Sequence, residues 1–236
     1  MQIIDLKPQN TSSLCATIGI FEGVHLAHQA LISECLQYSK EHNLTSCIIT
    51  FNVQTDLTKT TNKIPLFSED EKIKQLSQTG VEKLIIIDLD ERFKQMSHLD
   101  FIKLLLKIGI KALVVGFDFT YGFNRLGNVN SISDDSNGSI DVLVIDKKEM
   151  NGAKIGTRQI KEALGRGDIL EANQLLGFPY YIILDGGSAQ QVLLLADGKY
   201  EVLINQEPTS ITIQKGQIVT PINLDNKKIT FQKNKE

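Results

Sequence analysis

Long apolar runs are missing from this 236-residue chain. None approaches the ~20 residues that a membrane-spanning helix needs, and Asp5 and Lys7 interrupt the start, where a secretory leader would place its apolar segment. Neither a membrane partner nor export is therefore expected. Cysteine is scarce: Cys15, Cys35 and Cys47 form an odd set without framework or zinc-ligand spacing, which argues against a disulfide scaffold and for a reducing cytoplasm. Basic charge is not in excess. With 25 Lys and Arg against 28 Asp and Glu, the net charge of −3 lacks the electrostatic footprint of a nucleic-acid binder. No G-x-x-x-x-G-K-[ST] string occurs, which excludes a P-loop, and no internal repeat is visible. Nothing in the sequence fixes an oligomeric state.

What is present is enough apolar content, 42%, for one good-sized core and an appendage. Short β-branched runs at 14–20, 46–51, 81–87, 112–115 and 140–145 read as buried strands. Helical patterns separate several of them. From Leu26 the residues Ala27, Leu31, Cys35 and Tyr38 recur at helical spacing; Ser68 opens a capping box for a helix running to Gly80; and Ser97 caps another that ends at Lys107 before Gly109. Residues 52–63 and 128–139 read as polar loops. Beyond them the pattern predicts a helix ending at Gly165, then one capped by Asp168 and ended by Gly177 and Pro179. From Tyr181 the pattern changes to short strands at 182–187, 191–196, 200–205, 210–213 and 228–231. The expectation is an α/β chain with a doubly wound parallel sheet over residues 1–180 and a small β-domain over 181–236.

The chemistry concentrates between the first strand and the first helix. Gly19 and Gly23 let the backbone turn sharply, and His25 and His28 stand three apart at the helix start, on one side of it. A helix N-terminus already favours an anion, so two imidazoles there suit a phosphate group. A single histidine in a fold is more often an ordinary surface or core residue; two at this spacing behind a strand and a glycine turn favour function. The acidic residues Asp88, Asp90 and Glu91 read as a solvated loop rather than a metal site, and His98 as a first-turn surface residue. A second signal is the loop 116–127, G-F-D-F-T-Y-G-F-N-R-L-G, at the end of a strand. Aromatics there can stack on a flat ring and Arg125 can counter phosphate charge, while Phe117 and Phe123 can equally be core residues.

The string G-I-F-E-G-V-H-L-A-H-Q-A-L-I, residues 19–32, resembles the G-x-F-D-G-V-H-x-G-H-x-x-L-I signature of the nucleotidyltransferase superfamily, in the form carried by bacterial FAD synthetases. Glu22 stands where that pattern has Asp, and Ala27 where it has Gly. The second signal is similar to V-G-x-D-F-x-F-G-x-x-R-x-G at Val115, Gly116, Asp118, Phe119, Gly122, Arg125 and Gly127, with Tyr121 in an aromatic position. A third resemblance covers residues 155–180. Its second half, E-A-N-Q-L-L-G-F-P-Y, is close to the family, whereas Ile155, Gly156, Thr157, Arg158, Gln159, Ile160 and Lys161 stand for I-S-S-T-x-I-R. The family's T-F-x-P-H-P is also altered, to Thr50, Phe51, Asn52, Val53, Gln54 and Thr55, and its G-R-x-x-G-F-P-T-A-N kinase string is not found, so riboflavin kinase activity is not expected.

The resemblance implies a Rossmann-like nucleotidyltransferase fold and an enzyme that joins FMN to the AMP of ATP, with Mg²⁺ accompanying ATP. It implies His25 and His28 as the catalytic pair, and Gly19, Phe21, Gly23, Gly116, Asp118, Phe119, Tyr121, Arg125, Thr157, Arg158 and Lys161 as the nucleotide- and flavin-binding set, with no metal ligands in the chain itself. Two alternatives stay open: a non-catalytic nucleotide- or flavin-binding paralogue, and a nucleotidyltransferase for another phosphorylated substrate.

Overall fold

The computed structural model describes residues 1–4, 13–52, 64–185 and 189–234. Most of the polar stretch 52–63 lies outside the described residues. By internal contacts the chain divides into two units, one of residues 1–21, 27–54 and 73–148, the other of 22–26, 55–72 and 149–236.

The first unit is built on a parallel sheet. Its strands are β1 (Gln2–Ile4), β2 (Leu14–Ile18), β3 (Thr45–Asn52), β4 (Lys83–Asp88), β5 (Ile110–Gly116) and β6 (Asp141–Ile145), in the order β1-β4-β3-β2-β5-β6. β1 is an edge strand that the sequence reading misses, because three residues are too few to show a period. Residues alternate between the two faces. Leu14, Ala16 and Ile18 of β2 join Leu113 and Val115 of β5 in a cluster with Phe101, Ile102 and Leu105 of the helix His98–Lys107. On the other face Cys15, Ala112 and Val114 pack with Leu31, Cys35 and Tyr38 of α1 (Leu26–Glu41). Both faces of the sheet are thus covered, as a doubly wound arrangement requires. The expected stripe of α1 is present, and Ile32 and Ser39 are buried beside Cys35, the Ser39 hydroxyl donating to the Cys35 carbonyl at 2.6 Å.

Strand order reverses between β2 and β5. β2 is followed by β3 and β4 on one side and β5 by β6 on the other, so the carboxyl ends of two adjacent strands open at the switch point where such sheets bind ligands. The turn that starts at Gly19 leaves one of them; the loop 116–127 leaves the other.

The helix starts are capped as the sequence predicts: for α2 (Glu69–Ser77), which stops short of the expected Gly80, Ser68 Oγ accepts from the Glu71 N–H at 3.3 Å, for α3 (His98–Lys107) Ser97 accepts from Asp100 at 3.1 Å, and Asp168 Oδ1 accepts from Glu171 at 3.0 Å. Two further expectations need correction. The helix Thr157–Arg166 continues past Gly165 and stops at Gly167, whose φ of 77° supplies the left-handed cap. The polar stretch 128–139 contains a helical turn, Ile132–Asp135, because Ile132 is buried in the core.

The second unit carries an antiparallel sheet, β7 (Tyr181–Ile183), β8 (Gly198–Ile204), β9 (Glu207–Gln214), β10 (Gln217–Val219) and β11 (Lys228–Asn234), ordered β7-β11-β8-β9-β10. The expected strand at 191–196 is instead the 3₁₀ turn Gln190–Leu194, with Val192 and Leu194 buried and Leu193 exposed. A run of five apolar residues cannot by itself tell a strand from a tight helical turn. The helix Ile169–Leu176 is stitched to this sheet by Asn173, whose side chain accepts from the Tyr180 N–H at 2.7 Å and donates to the Phe231 carbonyl at 3.2 Å.

Candidate functional site

The first site element is a strained turn. Phe21 (φ 53°), Gly23 (φ 77°) and Val24 (φ 37°) all have left-handed backbone, a conformation that is costly for a β-branched valine and that clusters at functional sites. Neighbouring groups hold it there. The Thr50 hydroxyl donates to the Ile20 carbonyl at 3.0 Å, the Gly19 N–H to the Ile49 carbonyl at 3.1 Å, and the fully buried Phe21 ring packs 5.0 Å from the imidazole of His28. Gly23 is required on two counts: a Cβ there would sit 2.7 Å from Leu66 Cδ1, on a backbone that L side chains rarely adopt. Phe21 and Gly23 therefore fix the backbone of this turn.

His25 follows the turn and precedes α1, and it is 4% exposed. Burial pushes its pKa down to about 4, assisted by the charge of Lys154 and opposed by a backbone hydrogen bond. At neutral pH it is an uncharged imidazole and a hydrogen-bond donor. His28 lies in the first turn of α1 and is half-buried, as is Ala27. Lys154 was not legible as part of this group in the sequence, where it precedes the third motif without a spacing that ties it to a histidine.

The second element is the start of α4 (Thr157–Arg166). Gly156 occupies its N-cap position with no side-chain cap, which leaves the first N–H groups of a ten-residue helix to accept an anion. The turn and this helix meet at Glu22. Thr157 Oγ1 lies 3.5 Å from the Glu22 carbonyl oxygen, and Glu22 Oε1 is 2.8 Å from Lys161 Nζ and also accepts from the Leu66 N–H at 3.0 Å. Leu66 is in turn held by Tyr180, whose hydroxyl donates to the Leu66 carbonyl at 3.3 Å. Burial raises the pKa of that phenol, keeping it a donor. Glu22, Thr157, Arg158, Lys161, Glu162 and Gly165 line a cleft of about 720 Å³, closed on one side by Leu193 and Leu194. Its two cations are each bonded to a carboxylate, Lys161 to Glu22 and the exposed Arg158 to Glu162 at 2.8 Å, so the lining charges sum to zero.

The third element is the loop 116–127. Asp118 and Arg125 are exposed and Phe119 is half-buried against the core. Phe117 and Phe123 are exposed rather than core residues. Tyr121 is the enclosed aromatic: its ring packs between Phe101 and Phe119, and its hydroxyl bonds Asp135 at 2.6 Å and Ser131 at 3.0 Å. It is 5% exposed and packs beneath the loop. His98, in the first turn of its helix, is half-buried rather than fully on the surface, and Gly122 lies against its backbone, where a Cβ would be 2.5 Å from the His98 backbone nitrogen. Asp90 caps the turn Glu91–Lys94 and Asp88 accepts from Asn52, and among the described residues no group of three or more His, Cys, Asp or Glu side chains is placed to hold a metal.

The first unit is a doubly wound, Rossmann-like sheet with two glycine-bearing segments leaving adjacent strands at its switch point, and the second unit joins the turn at Glu22 to the start of α4. The chain belongs to the FAD synthetase family, whose model matches residues 7–159. It is 33% identical over 181 residues to the bifunctional riboflavin kinase/FMN adenylyltransferase of Bacillus subtilis, covering 75% of this chain and 57% of that one. It is 28% identical over 211 residues to an FAD synthetase of Listeria monocytogenes, covering 84% and 85% of the two chains. The chain thus spans a little over half of the bifunctional Bacillus relative. In fold it matches a crystal structure described as a macrolide-efflux protein from Streptococcus pneumoniae, with a TM-score of 0.84 at 19% identity over 100% of this chain and 91% of that one.

Proposed function

We propose that this protein is an FMN adenylyltransferase, an FAD synthase that transfers AMP from ATP to FMN and releases pyrophosphate. The observation that carries the reading is the joining of the Glu22 turn to the start of α4 across 135 residues, which brings His25 and a helix start suited to an anion into one unit. Family membership and the names of the Bacillus and Listeria relatives support the choice of FMN and ATP.

In this reading a phosphate oxygen of FMN attacks the α-phosphorus of ATP in line. The new P–O bond forms as the bond to the β-phosphate bridge breaks, and pyrophosphate leaves. His25 and His28 donate hydrogen bonds to the oxygens of the transferring group; neither acts as a base, because the attacking phosphate is already ionised. Negative charge arriving beside His25 raises its pKa and strengthens the bond it donates. Thr157, Arg158, Lys161 and the first N–H groups of α4 hold the β- and γ-phosphates, with Mg²⁺ entering as part of MgATP. Gly116, Asp118, Phe119 and Arg125 form the flavin- and nucleotide-contacting loop. Residues 1–180 carry the transfer and 181–236 form an accessory β-domain. The three cysteines are free thiols, which supports placing the reaction in the cytoplasm.

The test is to incubate the purified protein with FMN and MgATP and to measure FAD and pyrophosphate against an enzyme-free control. Equimolar products support the reading. Binding of FMN or ATP without either product would replace it with the non-catalytic paralogue, and pyrophosphate formed only with another phosphorylated acceptor would replace it with a different transferase.

A further inference from the structure

Two of the positions at which this chain departs from the family pattern are in contact with each other. Glu22 stands for Asp and Lys161 for Arg, and their side chains form an ion pair of 2.8 Å inside the cleft, with both groups largely buried at 25% and 15% exposure. The two departures have opposite effects on reach. Glu extends the acid by one bond, about 1.5 Å, and Lys shortens the base by one, so the combined length of the two side chains is kept. Glu22 is itself fixed from the other side, because the same Oε1 accepts the Leu66 N–H at 3.0 Å and Leu66 is anchored by Tyr180.

We propose that Glu22 is a positioning residue, which aims the Lys161 ammonium at the phosphates of bound nucleotide, and that positions 22 and 161 work as one length-matched pair. The inference rests on the reading of this cleft as the nucleotide phosphate site. Lys161 is the cation with a fixed aim, since Arg158 sits on an exposed helix face and pairs with Glu162 four residues on, a bridge that solvent weakens. An ammonium is a point charge with three donors; it can keep Glu22 with one and offer the others to phosphate oxygens without leaving its place.

The experiment compares wild type, Glu22→Asp, Lys161→Arg and the double variant by calorimetric binding of MgATP, by steady-state kinetics with FMN, and by thermal melting. Shortening the acid alone or lengthening the base alone misplaces the charge, so each single variant should weaken MgATP binding about tenfold, the worth of one charge-assisted hydrogen bond. KM for MgATP should rise while kcat stays within about twofold. The double variant restores the matched length and should return to within about threefold of wild type, a coupling that independent sites would not show. Additive losses in the double variant would overturn the pair while leaving the nucleotide site intact. Coupled melting temperatures with unchanged MgATP affinity would make the bridge a structural strut and overturn the positioning role. Wild-type protein that fails to bind MgATP would overturn the reading of the cleft as well, so the two failures are distinguishable.

Discussion

Two glycine-bearing segments leave adjacent strands at the switch point, and they are built in opposite ways. In the turn 19–25 the side chains of Phe21, Val24 and His25 are buried and the backbone is left-handed at three positions, two of them not glycine. In the loop 116–127 the backbone is also left-handed, at Asn124 and Arg125, but Phe117, Phe123 and Leu126 face outward, Leu126 at 65% exposure. The difference fits the two tasks proposed for them. Stabilising charge on a transferring phosphoryl group needs donors fixed in a dry environment, where each is worth more than in water. Holding a flat ring needs apolar area and tolerates a surface that adapts.

Variants can break this comparison at the turn first. His25→Asn and His28→Asn should each lower kcat about 10²- to 10³-fold, as loss of one preorganised donor does, with KM for FMN little changed. Equal effects on KM alone would move the histidines from catalysis to binding.

Acid should act through the same turn. Because the His25 pKa is depressed to about 4 while an unfolded histidine titrates near 6.5, the unfolded chain binds more protons between these values. The contribution to stability is fully present above pH 6.5 and is lost as pH falls toward 4, by up to about 3 kcal/mol. Melting followed from pH 7 to pH 4 should show this slope in wild type and a shallower one in His25→Asn; identical slopes would mean that His25 is solvated in the folded protein.

Gly23→Ala should cost about 2 kcal/mol of stability, read as a lowered urea midpoint, from the left-handed backbone and the collision with Leu66. The smallest effect belongs to the other segment. Phe123→Ala should leave stability within about 0.5 kcal/mol, since the ring is exposed, and a change in FMN affinity without a change in melting would assign the loop to ring binding.

How much of this was legible follows the range of each signal. The strands β2 to β6 and the caps at Ser68, Ser97 and Asp168 are local, and period and capping residues announce them. The turn at Gly19 and Gly23 was visible because glycine is needed where the backbone becomes left-handed. What the sequence could not show is contact over distance. Nothing near Glu22 announces Lys161, 139 residues away, or the Leu66 amide that shares its carboxylate. Nor could it separate the aromatics of 116–127: Tyr121 is buried with its hydroxyl bonded to Asp135 and Ser131 and Phe119 packs on the core, while Phe117 and Phe123 are exposed. The run 191–196 marks a different limit, since apolar content fixes burial but not backbone shape.

The central claim is that the chain moves the adenylyl group, not another phosphoryl group of ATP. Two parallel incubations with FMN and Mg²⁺, one with ATP labelled at the α-phosphorus and one with ATP labelled at the γ-phosphorus, test it most directly. Adenylyl transfer places α-label in FAD and γ-label in pyrophosphate, in equal amounts. Label from the γ-position in free phosphate or in the flavin product, or α-label that stays in ATP while both substrates bind, would contradict it.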